Sequence, residues 1–318
     1  MWRHRWLAKK DICVIIPALN EESTVGEVIR SFPRDIHGRS VLVLVVDNGS
    51  TDRTAAVAAE CGAEVIFEWR RGKGHAIRRG LESVDAEVYV FIDADGTYLP
   101  REVNSIIYPI LDGAADMVIG SRIDGLMEEG SMTRLNRIGN RLINCLFKVT
   151  FKSEVGDVLS GYRAASGKSL HEIVLMSSHF EIETEMTVEF LLHDLRVVEV
   201  PITYCRRIGG PSKLRPFRDG MRILRSALFL VMNTRPLFFF SLMSLSLFAA
   251  SLVLAGLLLS RTTLFGDFPP LGLFLLSCVL AAVGTVTFLS GLIGELIVTT
   301  RRRLEYLVKR QIRHHAVN

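Results

Sequence analysis

The sequence predicts an α/β protein with a doubly wound, mostly parallel sheet, followed by an amphipathic helix and a hairpin of two membrane-spanning helices. Three observations carry this. Runs that are apolar throughout alternate with helix-patterned stretches over the front of the chain, as parallel strands buried on both faces require. Two later segments, Leu237 to Leu259 and Leu271 to Val298, are long and apolar enough to cross a bilayer. Charge divides along the same line: Met1 to Ile202 carries 23 Lys and Arg against 30 Asp and Glu, whereas Thr203 to Asn318 carries 15 against 4.

In order, "DICVIIPAL" reads as a strand, "EESTVGEVIRSF" as a helix and "VLVLVVDN" as a strand. "STDRTAAVAAECG" is a helix ended by Gly62, "AEVIFE" a strand, "GHAIRRGLESV" a helix and "AEVYVFIDAD" a strand. The predicted parts are a domain over 1–215, an interfacial helix over 216–235, two spans within 236–300 and a basic tail over 301–318. In "FRDGMRILRSALFLVM", apolar residues recur at helical spacing beside Arg218, Arg222 and Arg225, as suits a headgroup layer or a core packed on the sheet. Arg222, Arg225 and Arg235 precede the first span and Arg301 to Arg303 follow the second, whereas the connection "SRTTLFGDFPP" is nearly neutral. The positive-inside rule then puts both termini and the front domain in the cytoplasm. Cationic residues that flank apolar sequence point to an anionic membrane surface, not to nucleic acid. Five cysteines without metal or redox spacing read as free thiols, and no signal peptide is expected at "MWRHRWLAKK".

In doubly wound sheets, ligands lie beyond the carboxyl ends of the strands. Those ends read "PALNEE", "VVDNGSTD", "RRGKGHA" and "DADG". Singly, such residues serve as helix caps; four together, the last holding Asp93 and Asp95 on one side of an extended chain, suggest a site where a hard divalent cation neutralises an acidic pair. An acidic turn leaving the core is the plainer alternative. A phosphate-loop motif is absent, and no G-x-G-x-x-G follows the first strand.

Together "VIIPALNEE", "VVDNGSTD", "GKGHAIRRG", "IDADGTYLP", "VIGSR", "SGYRA" and "VPITYCRRIGGPSK" resemble the family 2 glycosyltransferases of GT-A fold, in their dolichyl-phosphate mannose synthase-like branch that acts on polyprenyl phosphates. The resemblance runs in order over about Ile12 to Arg215. It implies metal-dependent, inverting transfer of one hexose, of mannosyl or glucosyl type, from a UDP-sugar or GDP-mannose to undecaprenyl or dolichyl phosphate. Mg2+ or Mn2+ would sit on Asp95 and Asp93. Pro17, Asn20, Glu21, Asp47, Lys73, Asp93 and Ala94 would contact the donor, with a plain surface loop the alternative for Lys73. Arg122, Arg137, Arg207, Ser212 and Lys213 would hold the acceptor phosphate, and Arg207 joins the D-x-D pair in catalysis. Asn48 departs from the family, which often has a second Asp there.

Glu181, Glu183 and Glu185 in "FEIETEM" could line one face of a strand or start a helix, and His179 reads as an ordinary loop residue. The stretch between "VIGSR" and "SGYRA" suits a mobile acceptor loop. A polysaccharide synthase with a hydroxyl acceptor, or a non-catalytic nucleotide-sugar-binding scaffold, are the alternatives. The first lacks its Q-x-x-R-W signature here. A homo-oligomer is compatible with the sequence.

Overall fold

The structure, a computed structural model, describes residues 7–151, 153–207, 221, 225, 228–229, 231–232, 235–259 and 270–317. The predicted helix over 216–235, Ser212 and Lys213 fall wholly or mostly outside them. The chain divides into two compact units, 1–227 and 228–318.

The first unit begins with β1 (Leu7–Ala18), α1 (Val25–Arg30), β2 (Asp35–Ile36), β3 (Arg39–Asp47), α2 (Thr54–Glu60), β4 (Glu64–Phe67), α3 (Lys73–Ser83) and β5 (Val84–Phe91). There follow α4 (Val103–Leu111), β6 (Met117–Ser121), α5 (Arg134–Phe151), β7 (Arg163–Ser166), α6 (Gly167–Leu170), α7 (Ile182–Leu192) and β8 (Val197–Pro201). The sheet runs β2-β3-β1-β5-β7-β6-β8, with β4 paired to β3. The β3-β1, β1-β5 and β3-β4 pairs are parallel, as the unbroken apolar runs predict, and so is the β6-β8 pair. Ile12, Val14 and Ile16 of β1 and Val43 and Val45 of β3 are buried with Val28 and Ile29 of α1, which makes β1 the centre of the core.

One strand breaks the pattern. β7 lies antiparallel to both neighbours, β5 and β6, so it starts at the edge where the parallel strands end. "SGYRA" therefore enters the sheet from the carboxyl edge and brings Gly161 to it. The glutamate cluster starts α7 and does not form a strand.

The second unit holds α8 (Pro236–Leu259) and α9 (Pro270–Val317). Pro236–Leu258 and Leu271–Arg301 are long and apolar enough to cross a membrane. Small residues let the helices approach: a side chain at Gly291 would meet Phe240, and one at Gly294 would meet Pro236. Ser244 donates to the Gly284 carbonyl at 2.8 Å, and Ser251 to that of Ser277 at 2.8 Å. Glu295, the one charge in the predicted second span, accepts from the Leu237 amide at 3.3 Å and so supplies an acceptor at the start of α8. α9 continues unbroken into the predicted basic tail.

Candidate active site

The carboxyl ends of β1, β3 and β5, the loop after β4, the start of β7 and the segment after β8 surround a cavity of about 610 Å³. Pro17, Glu21, Lys73, Asp93, Ala94, Asp95, Arg122 and Arg207 line it.

Two cationic bridges organise its floor. Lys73, the first residue of α3, pairs with Asp93 and, at 2.6 Å, with Glu183 of α7. Burial works against its charge, but the two carboxylates outweigh that and hold the ammonium well above the usual lysine range. Lys73 is thus a largely buried residue of the cavity, and the surface-loop alternative is set aside. Arg207 donates to Asp95 at 2.7 Å and to Glu21 at 2.5 Å. Asp95 also accepts from the Thr97 hydroxyl at 2.7 Å and its amide at 3.1 Å. Burial first, then the Asp93 charge, raises the Asp95 pKa. Each D-x-D carboxylate thus shares a cation with a glutamate from another element. Four carboxylates against two cations leave these bridges a formal charge of −2.

Backbone approach explains the glycines. A Cβ on Gly161 would stand 2.6 Å from Asp93 Oδ2 and 3.0 Å from Lys73 Nζ, so only glycine leaves room for the bridge. A Cβ on Gly72 or Gly74 would strike the carbonyl oxygen of Ser178 or Ser177. Those two residues belong to a loop that Glu185 fixes by accepting from the amides of Met176 and Ser177. Glycine on either side of Lys73 therefore lets the loop before α7 pack against the start of α3.

Asn48 accounts for its departure from the family pattern. Its amide donates to the carbonyls of Glu68 at 3.1 Å and Arg70 at 2.8 Å, while its oxygen accepts from the Gly72 amide at 2.6 Å. A carboxylate could not donate to either carbonyl. Asn48 thereby sets the loop that delivers Lys73.

Other expected residues stand apart from the cavity lining. Asp47 is buried and accepts from the Ser50 amide at 2.8 Å, which turns it into its own loop. Asn20 has φ of +51°, and its side-chain oxygen accepts from the Thr51 amide at 2.7 Å, tying the β1 and β3 loops together. Arg137 is exposed on α5, and it is Asn136 and Asn140 beside it that line the cavity. Arg122 reaches the cavity but spends Nε and Nη2 on Asp157, at 2.8 and 2.7 Å. His179, expected to be an ordinary loop residue, lines the cavity with Phe180.

Sequence reasoning left Glu183 undecided and passed over Tyr98, Asp157 and Gly161. The Tyr98 ring packs between those of Tyr162 and Tyr204, and its hydroxyl accepts from the Gly161 amide at 2.9 Å. Arg163, fully buried, donates to the carbonyls of Ser160 and Glu183 and so fixes the start of α7 against β7. The motif "SGYRA" was legible, but the roles within it depend on partners distant in sequence.

The donor set also fits a divalent cation. Asp93 and Asp95 supply hard oxygens, and no cluster of three His, Cys, Asp or Glu side chains forms a closed metal cage among the described residues. Such a pair leaves positions for phosphate oxygens and water, as magnesium prefers.

The family model described as Glycosyl transferase family 2 matches residues 13–192, which include both bridges except Arg207. The chain belongs to this family. The glycosyltransferase is 37% identical over 246 residues to glycosyltransferase AglJ of Haloferax volcanii, covering 77% of this chain and 80% of the relative. It is 33% identical to the dolichyl-phosphate hexose transferase of the same organism, covering 68% of this chain and 92% of the relative. Among solved structures, glucosyl-3-phosphoglycerate synthase from Mycobacterium tuberculosis, in complex with Mn2+, UDP-glucose and phosphoglyceric acid, superposes with a TM-score of 0.59 at 25% identity. That match covers 70% of this chain and 80% of the other. The sheet of the glycosyltransferase is thus the GT-A fold.

Proposed function

We propose that this glycosyltransferase moves a single sugar, with inversion, from a nucleoside-diphosphate sugar to a polyprenyl phosphate at the cytoplasmic face of a membrane. The observation that carries the reading is the Arg207–Asp95 contact: the basic segment after β8 reaches the D-x-D pair, so an anionic acceptor held by Arg207 would lie beside the donor's diphosphate. The relative named for dolichyl-phosphate hexose transfer supports a lipid acceptor. The mycobacterial complex supports a UDP-sugar donor and a divalent metal.

Pro17 and Glu21 would flank the nucleoside, with Asn48 and Lys73 positioning the diphosphate side. Asp95 and Asp93 would hold Mg2+ or Mn2+, which when bound supplies Lewis-acid neutralisation of the leaving diphosphate. Glu183 is 5% exposed, and its Oε2 has no hydrogen-bond partner among the described residues, so it suits a sugar hydroxyl. An acceptor phosphate monoester, with a second pKa of about 6, is already ionised near neutrality and needs no general base. The guanidinium of Arg207 then orients it without taking a proton. Arg122, already committed to Asp157, would add charge from one side of the cavity. Asn20, Asp47 and Arg137 act at most indirectly. The cationic flanks of the two apolar helices favour a hairpin with both termini cytoplasmic.

Purified protein given a panel of radiolabelled UDP- and GDP-sugars with undecaprenyl or dolichyl phosphate should form one acid-labile glycosyl lipid, dependent on Mg2+ or Mn2+. Transfer to a hydroxyl acceptor alone, with none to the lipid phosphate, would overturn the reading.

A further inference from the structure

α5 presents an apolar stripe to the outside of the first unit. Ile138, Leu142 and Val149 are 56%, 65% and 57% exposed, and Cys145 is exposed between them. At 3.6 residues per turn these four fall within about 60° of arc and extend about 16 Å. Ile143 and Phe147, on the opposite side, are buried, so the helix is docked on the domain and the stripe is not its core face. Arg137, Arg141 and Lys148 are exposed along one margin, and the helix contains no acidic residue. Ile138 and Leu142 also line the catalytic cavity, so the stripe continues to its mouth.

We infer that α5 is a membrane-contacting helix that seats the cavity mouth against the headgroup and acyl boundary of an anionic lipid surface. An apolar stripe beside a cationic margin matches that boundary in both polarity and charge. A second copy of the same face would bring cations against cations. The two apolar helices of this same chain would also keep the domain beside a bilayer. A polyprenyl tail entering along the stripe would need no desolvation in water, and its phosphate would arrive at the cavity mouth. The role for the tail rests on the lipid-acceptor reading; the contact of α5 with lipid does not.

The full chain is tested in nanodiscs of phosphatidylcholine and phosphatidylglycerol, with Cys61, Cys205 and Cys278 replaced by serine and an environment-sensitive fluorophore on Cys145. Lipids brominated in the acyl chain should quench this probe severalfold more than one on Lys168→Cys in a background that also carries Cys145→Ser. Equal quenching at the two positions would overturn the inference, as would crosslinking of two copies through Cys145 with no quenching. Val149→Glu, remote from the cavity lining, should raise KM for a long-chain polyprenyl phosphate about tenfold, the order expected for moving one apolar side chain off an apolar surface. It should leave KM for a short, water-soluble prenyl phosphate within about twofold, and Val149→Leu should behave as wild type. An equal effect on both acceptors would remove the tail from the inference. Failure to transfer to any prenyl phosphate would instead sink the acceptor reading, while quenching still decides the placement of α5.

Discussion

Asn48→Asp is nearly isosteric, yet it should disable the donor site through the loop it holds. The native amide satisfies two carbonyls, those of Glu68 and Arg70, and receives the Gly72 amide. A carboxylate retains only the last contact and faces two oxygens. A buried polar group left without its partner costs about 1–3 kcal/mol, so leaving two carbonyls without a donor amounts to roughly 2–6 kcal/mol. Part of this can be relieved by opening the Arg70–Gly72 loop, whose release unfixes Lys73. Hydrogen exchange should therefore quicken at the start of α3 while β1 and β5 stay protected, and KM for the nucleotide sugar should rise by at least about tenfold, equivalent to 1.4 kcal/mol. Exchange is read by mass spectrometry on peptides spanning residues 66–80. If Asn48→Asp binds donor within twofold of wild type with α3 exchange unchanged, Asn48 does not deliver Lys73 and the reasoning fails.

Gly161→Ala should displace Asp93 or Lys73, because the added methyl lies 2.6 Å from the carboxylate; both are flexible side-chain ends, so thermal stability should hold while kcat/KM falls at least about tenfold. Wild-type kcat/KM in Gly161→Ala, or a large drop in its melting temperature, would contradict this. Arg207→Ala should lower lipid-dependent turnover roughly ten- to hundredfold, with Arg207→Lys recovering only part, since it restores charge without the fork that spans Asp95 and Glu21; calorimetric loss of donor binding with unaltered lipid dependence would reassign it to the donor. Asp95→Asn should abolish Mn2+ binding measured by electron paramagnetic resonance, and undiminished Mn2+ affinity would exclude Asp95 as a ligand. The hydrogen bond from Arg70 holds the Glu68 pKa below its usual value, so its contribution is present above the unfolded carboxylate pKa of about 4.3 and is lost as pH falls through that range. Melting temperatures of wild type and Glu68→Gln should therefore converge on acidification toward pH 3, and a constant gap would show that Glu68 contributes nothing through its charge.

The strands β1, β3, β4 and β5 and the two apolar helices were readable because local sequence carries their signals: unbroken apolar runs, glycine stops and spans of membrane length with one charge between them. The D-x-D pair was readable for the same reason, as two carboxylates with a single residue between them just past a strand end. Glu183 was not, because its meaning comes from Lys73, 110 positions earlier in the chain, and nothing in "FEIETEM" reveals which of its glutamates that lysine will meet. Nor did spacing show that Asn20 ties the β1 loop to the β3 loop or that Asp47 turns into its own loop, since hydrogen bonds from the Thr51 and Ser50 amides decide their orientation.

By itself, then, the sequence determined the parallel half of the sheet, the membrane-length helices and the edge on which the acidic pair stands, since each depends on periodicity within a few residues. Tertiary structure decided the rest. It inserted β7 antiparallel so that Gly161 reaches Asp93, and it made Asn48 the holder of the Lys73 loop. It also brought Glu21 and Arg207, 186 positions apart, into one bridge with Asp95. Those partners are chosen by packing across the sheet, where a buried charge must find an opposite one wherever in the chain it lies.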